Sequence, residues 1–338
     1  MVSGGLGERS RRIGFVVVLL GLVILAAIAS ISVGAKPIPL DQVWHAFHSP
    51  SGTENDVVIL SLRVPRTLLG IGVGMALGVA GALMQGHTRN PLAEPGLLGV
   101  SGGAAFLVVF GINVLGISSL YGYVWFAFAG AFGASVLVFM LGSLSRGGPT
   151  PVTLALAGVA VSQLLVALTS IMILSDDRTL DAYRFWSVGS LADRDLGIGA
   201  QVAPFLLVGL LLAAINAPAL NLLSLGDDVA RGLGQNLQVA RWTGLVAITL
   251  LTGGAVAACG PISFVGLVVP HVVRYLIGPD HRWLLPASAL AGAVLLLASD
   301  VIGRIVVRPA ELQVGIVLSL IGAPFFVALV RRKKMMKL

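Results

Sequence analysis

The sequence predicts an all-α polytopic membrane protein with ten transmembrane helices and both termini in the cytoplasm. Three observations predict it. Hydrophobic residues make up 57% of the 338 and charged residues only 11%, against about 25% charged in a soluble domain. Mean hydropathy is +0.96. Uncharged apolar runs recur along the whole chain, many of them near the about 20 residues that cross a bilayer at about 1.5 Å per residue. A soluble domain presents a large surface to water, and this composition does not supply the polar side chains to cover it. A soluble enzyme, a disordered chain and a disulfide-stapled secreted domain are thereby excluded. The net charge is +7, but the basic residues are scattered between apolar runs, as in the loops of a membrane protein and not as on a nucleic-acid-binding surface. The single cysteine, Cys259, excludes an internal disulfide and a cysteine metal site, and reads as a small buried hydrophobe.

The spans follow in order. Residues 13–35 form the first. Arg9, Arg11 and Arg12 precede it, but its apolar run exceeds the about 7–15 residues of a cleavable signal core. Residues 66–86 form the second and carry Gly70, Gly74 and Gly78 on one helix face, a small-residue stripe suited to close helix packing. Residues 95–145 are uncharged but too long for one crossing; the Gly, Ser and Asn cluster near 113–122 divides them into spans at 96–115 and 121–142. Residues 151–174 and 196–216 follow, the latter ending near Asn216 and Pro218. The Gly260-Pro261 turn signal divides the next long run into 241–259 and 262–277. Residues 283–303 and 312–331 complete ten. Ten spans put both termini on one side. With the termini inside, fourteen of the 22 Lys and Arg residues lie in inner segments and eight in outer ones, as the positive-inside rule requires.

No Asp, Glu, Lys or Arg lies near the middle of a proposed span. Ion-coupled carriers and voltage sensors place such residues there, so both classes are disfavoured. The five histidines, at 45, 48, 87, 271 and 281, form no intramembrane ligand cluster; His45 and His48 read as an interfacial pair, and no metal site is assigned. There is no G-x-x-x-x-G-K-[ST] sequence and no Gly-Lys pair, so the chain carries no P-loop, and if ATP drives it the ATPase is a separate chain.

The remaining charges form a few constellations. Arg63-Val64-Pro65-Arg66 lies on the outer side of the second span, as a snorkelling pair or as a docking point for an acidic partner. Asp300 to Arg304 and Arg308-Pro309-Ala310-Glu311-Leu312 supply a second basic site on that face. Outer residues 175–195 carry Tyr183, Arg184, Phe185 and Trp186, which suit the membrane–water interface. On the inner side, residues 223–234 read as a short helix. Asp227 and Asp228 suit its N-terminus and Gly234 its stop. Val229, Ala230 and Leu233 are read as one apolar face, which lipid headgroups or a cytoplasmic protein would cover.

These residues also carry a resemblance. Arg63-Val64-Pro65-Arg66-Thr67, Gly81-Ala82-Leu83-Met84-Gln85, the run Thr88-Arg89-Asn90-Pro91-Leu92-Ala93-Glu94-Pro95-Gly96-Leu97-Leu98-Gly99-Val100 and Gly260-Pro261-Ile262-Ser263-Phe264-Val265-Gly266-Leu267-Val268-Val269-Pro270-His271 resemble the FecCD/vitamin B12-type ABC importer permeases. Asp280-His281-Arg282, Pro309-Ala310-Glu311-Leu312 and Gly322-Ala323-Pro324-Phe325-Phe326 add to it. Gln313 stands where the family has a second proline. The resemblance covers about residues 13–332 and implies a single permease domain of the type II importer fold, with ten spans. It implies a transport subunit that is not itself an enzyme and holds no cofactor, with ATP and Mg used by two separate ATPase subunits. It further implies a second permease subunit, with a paralogous heterodimer favoured over a homodimer, and an extracytoplasmic substrate-binding protein, besides membrane lipid and no nucleic acid. Arg63, Arg66 and Arg304 match the arginines that dock the binding protein. Gly226, Asp227, Asp228, Val229, Ala230, Arg231, Leu233 and Gly234 match the coupling helix that meets the ATPase. Thr150, Pro151, Val152 and Thr153 match a candidate cytoplasmic gate. Arg184-Phe185-Trp186 and Leu223-Ser224-Leu225-Gly226 are closest to ferric-enterobactin-like, catecholate permeases, so the implied cargo is a ferric siderophore, with haem or cobalamin as alternatives.

Overall fold

The computed structural model describes residues 4–331 apart from 35, 118 and 145–150. Among the described residues every regular element is helical. In chain order they are α1 (Gly4–Ser32), α2 (Leu40–His48), α3 (Glu54–Val57) and α4 (Val64–Thr88), the last two joined by a π-helical turn at Val58–Arg63. A 3-10 turn at Pro95–Leu98 leads into α5 (Val100–Asn113), followed by α6 (Leu120–Ser143), α7 (Pro151–Ser175), α8 (Asp177–Ser187) and α9 (Leu196–Leu223). The rest are α10 (Asp227–Gly232), α11 (Leu237–Cys259), α12 (Val265–Ile277), α13 (His281–Val306) and α14 (Val314–Arg331).

Among the described residues eight helical stretches are long and apolar enough to cross a membrane: α1, α3 with α4, α6, α7, α9, α11, α13 and α14. The spans expected at 96–115 and 262–277 fall instead on α5 and α12, which have 14 and 13 residues. At about 1.5 Å per residue each is about 20 Å long, short of a hydrocarbon core of about 30 Å. The backbone shows why. Gly99 caps α5 in the left-handed region at φ 73°, and Gly260 and Phe264 take φ 75° and 70° just before α12. The two irregular entries meet each other: Glu94 Oε1 accepts a hydrogen bond from the Phe264 N–H at 2.8 Å. Non-helical backbone among membrane helices is tolerated where protein covers it.

Helix α4 is the centre of the bundle, packed most extensively against α13. Its glycine stripe makes the contact. A Cβ on Gly74 would lie 2.6 Å from the Gly292 carbonyl oxygen, and one on Gly70 would lie 2.8 Å from Leu297. Without side chains at these positions the two backbones approach closely, the packing that replaces the hydrophobic effect in lipid. Helices α1 and α7, in contrast, leave most of their apolar residues uncovered by the chain itself.

The sequence reading missed the separate helices α2, α3 and α8. Helix α8 begins where the Asp176 side chain accepts from the Thr179 N–H at 2.9 Å. Phe185 is exposed there, as an interfacial aromatic would be, but Trp186 is buried in the main core. The turn carrying Gln313 stays folded back on α13, because the Leu312 N–H donates to the Gly303 carbonyl at 2.9 Å.

Candidate functional site

Polar side chains gather at two ends of the bundle. At the first end, a cavity of about 1010 Å³ is lined by residues that include Arg63, Arg66 and Arg304. These three come from α4, the turn before it, and α13, so the fold brings together residues some 240 positions apart in the chain. Arg63 is 6% exposed. Its guanidinium donates to the carbonyls of Ile31 and Ser32 at 2.7 and 2.8 Å and to that of Lys36. The first two carbonyls close the C-terminus of α1, where orphan acceptors need donors and a cation is favoured, and the third lies four residues beyond it.

Arg66 and Arg304 share one carboxylate. Asp300 is fully buried; it accepts from Arg66 Nη2 at 2.8 Å and from Arg304 Nη2 at 2.6 Å. Arg66 Nη1 also donates to Glu311 at 2.7 Å. Arg304 is 2% exposed and ties α13 to α1 through the Ser30 carbonyl and hydroxyl, both at 2.8 Å. The three arginines expected at the docking point for an acidic partner are thus already engaged inside the chain. Arg63 and Arg304 are buried, Arg66 is partly exposed, and all three are bonded within the chain. Asp300, counted in sequence only within a basic site, is the shared acceptor; it lies one turn before Arg304 and so shares its helix face.

Around the same cavity, the Asp195 side chain caps α9 by accepting from the Ile198 N–H at 3.0 Å, and it accepts from the Tyr121 hydroxyl. The hydrogen bond from Tyr121 holds the Asp195 carboxyl below the usual carboxylate range. Arg194, beside it, is pushed below the ordinary arginine value by burial.

At the second end lies α10, shorter than the stretch 223–234 expected for it. Leu223 closes α9, and Gly226 at φ 108° breaks the helix before Asp227. Gly234 at φ 82° ends it, with the Gln235 N–H donating to the Ala230 carbonyl at 3.0 Å. Ala230 is buried, whereas Leu225, Val229 and Leu233 are exposed. The apolar face expected from Val229, Ala230 and Leu233 is thus divided. Ala230 anchors the helix, and the larger side chains stand outward. Asp227 is held from two sides, by Arg89 and by Arg241 Nη2 at 2.6 Å. Arg89 is the left-handed C-cap of α4, and Arg241 belongs to α11. Asp228 and Arg231 form only a long exposed pair at 3.5 Å.

Of the candidate gate, Thr150 lies outside the described residues. Pro151 opens α7, Val152 is exposed and Thr153 is half-buried. Sequence reasoning overlooked a polar lock at this end. Gln85 Nε2 donates to the Gly266 and Leu267 carbonyls at 3.3 and 3.2 Å, and Gln85 Oε1 accepts from Arg274 at 3.0 Å. His48 stacks on Trp44 with ring centroids 3.8 Å apart. Among the described residues no group of three or more His, Cys, Asp or Glu could hold a metal ion.

Comparison with known proteins gives a consistent set of relatives. The model of the FecCD transport family matches residues 22–332. The ferric enterobactin transport system permease protein FepD of Escherichia coli K12 is 47% identical, with 93% of this chain and 94% of that one covered. The probable siderophore transport system permease protein YfiZ of Bacillus subtilis 168 is 39% identical, with coverage of 94% and 95%. Among solved structures, an inward-facing metal-chelate type ABC transporter superposes with a TM-score of 0.83 at 31% identity, covering 95% of this chain and 99% of that one.

Proposed function

The chain belongs to the FecCD transport family, and from that premise we propose that it is the multi-pass inner-membrane permease subunit of an ATP-driven ABC importer. It translocates an iron–siderophore chelate, performs no covalent chemistry itself, and works with ATPase subunits and a second permease subunit. The observation that carries this reading is the separation of the polar machinery. A cationic cavity stands at one end, and at the other a short helix with exposed Leu225, Val229 and Leu233 is tied to two long helices.

The finer picture is our reading of that arrangement. Both termini are cytoplasmic, and α5 and α12 complete ten crossings. The second permease is a paralogue, and two ATPases bind Mg and ATP on their own chains. A substrate-binding protein delivers the chelate to the Arg63 end. Its acidic residues address Arg63, Arg66 and Arg304. Because Asp300 is fully buried while Glu311 is partly exposed, the exchangeable partner is Glu311: an incoming carboxylate replaces it on Arg66. Such an exchange changes the binding energy little and serves orientation and encounter rate. ATPase motion reaches α10 through its exposed apolar side chains, and the Asp227 clasp passes it to α4 and α11. Residues 150–153 then act as the inner gate.

The test is transport by the reconstituted complex of permeases and ATPases with its binding protein. ATP-dependent accumulation of a ferric tris-catecholate is expected. Accumulation of haem or cobalamin in its place would reassign the cargo, and accumulation driven by an ion gradient without ATP would overturn the importer reading.

A further inference from the structure

Five cationic side chains line the large cavity: Lys36, Arg63, Arg66, Arg194 and Arg304. Four have partners. Lys36 Nζ lies 3.3 Å from Glu54, Arg63 holds three carbonyls, and Arg66 and Arg304 divide Asp300. Arg194 alone makes no hydrogen bond or ion pair among the described residues, and its Nε is buried without an acceptor. The neighbouring carboxylates do not serve it. Asp195 is engaged by Tyr121 and the α9 N-terminus, and the exposed Asp193 acts only at a distance.

The segment bearing Arg194 is fixed. The Ser190 N–H donates to the Cys259 carbonyl at 2.8 Å, the Gly189 carbonyl accepts from Gly315 at 3.1 Å, and Leu191 is fully buried. Arg194 as a whole is half-buried, and a guanidinium whose Nε is shut off from water without an acceptor is unfavourable in a resting protein, while one on a fixed segment is pre-organised for a ligand. Tyr121, Tyr123, Phe185 and Trp186 line the same cavity. A planar cation beside aromatic surfaces fits a ligand that offers both oxyanions and rings.

We propose that Arg194 is a cargo-binding residue: it receives anionic oxygens of the chelate in this cavity and favours anionic aromatic chelates. This rests on the siderophore reading above. The test uses Arg194→Gln and Arg194→Lys in the reconstituted complex, with a ferric tris-catecholate of net charge −3 as probe. Loss of a charged hydrogen bond is expected to lower uptake by about tenfold or more in Arg194→Gln, with partial recovery in Arg194→Lys. The thermal midpoint of Arg194→Gln holds or rises, because no internal bond is lost. Unchanged uptake, or a fall in the midpoint that parallels the fall in uptake, would overturn the assignment by making Arg194 dispensable or structural. No uptake of the probe by the parent complex would overturn the siderophore reading, and the assignment with it.

Discussion

Replacing Asp227 by Asn tests the link between α10 and the membrane helices. The carboxylate bridges Arg89 and Arg241, so one neutral amide replaces an acceptor shared by two arginines. All three side chains are about a third exposed or more; water screens the pairs, and each contributes about 0.2–1 kcal/mol. Together the clasp holds α10 in register with about 0.4–2 kcal/mol. At about 1.4 kcal/mol per tenfold, Asp227→Asn raises the population of misaligned α10 by about 2–30-fold. Exposed Leu225, Val229 and Leu233 are untouched, so ATPase binding remains. The assay is ATP hydrolysed per chelate accumulated in proteoliposomes: the ratio should rise several-fold, with complex assembly intact by size-exclusion chromatography. Arg241→Gln should give a similar rise, and the double variant less than the product of the two singles, as for residues acting through one contact. An unchanged ratio in Asp227→Asn, or full multiplicativity in the double variant, refutes the clasp.

Four further outcomes are expected. Asp300→Ala leaves the buried Arg304 guanidinium and the partly exposed one of Arg66 without their shared carboxylate, which costs about 3–5 kcal/mol for the buried partner; scanning calorimetry in detergent should show a clear drop in the thermal midpoint, and an unchanged midpoint counts against the network. Glu311→Gln removes the internal competitor for Arg66, and the permease complex should bind its binding protein about 2–5-fold more tightly by surface plasmon resonance; weaker binding would mean that Glu311 belongs to the docking surface. Leu233→Asp places a charge on the exposed apolar tip of α10 and should abolish co-purification of the ATPase or uncouple it; normal assembly with normal coupling argues against an ATPase contact there. Burial raises the Glu94 carboxyl above its usual value, against the opposing hydrogen bond from Phe264. A carboxyl raised in the folded state favours folding at low pH, and that contribution is lost as pH rises through the folded value. Glu94→Gln keeps the acceptor and removes the charge, so the thermal midpoint of the variant should change less between pH 4 and pH 7 than that of the parent; identical pH profiles would contradict this.

Much of the protein is legible in its sequence because the bilayer imposes one-dimensional rules. Spanning segments must be apolar and helical, so uncharged runs gave eight of the expected spans as long helices. Gly70, Gly74 and Gly78 announced a close helix contact, though not that α13 was the partner. The stop of α10 at Gly234 was readable because glycine after a helix end acts locally, whereas the stretch was begun at Leu223 and the helix begins at Asp227, after the break at Gly226. Helices α5 and α12 were read too long, since the composition on either side of Gly99 and Phe264 is equally apolar. Only the backbone turn shows the break.

Charge on its own identified the class of the protein: a chain with so few charged residues belongs in lipid, and those it keeps lie near the ends of the helices. The tertiary structure decided what those charges do. Arg63, Arg66 and Arg304 look alike in sequence as cations near helix ends. Distant parts of the chain decide that Arg63 closes α1, that Arg66 and Arg304 converge on Asp300, and that Arg194 is left without a partner among the described residues. A guanidinium's role is set by which oxygens lie within about 3 Å of it, and in a helical bundle those oxygens come from helices far apart in the chain.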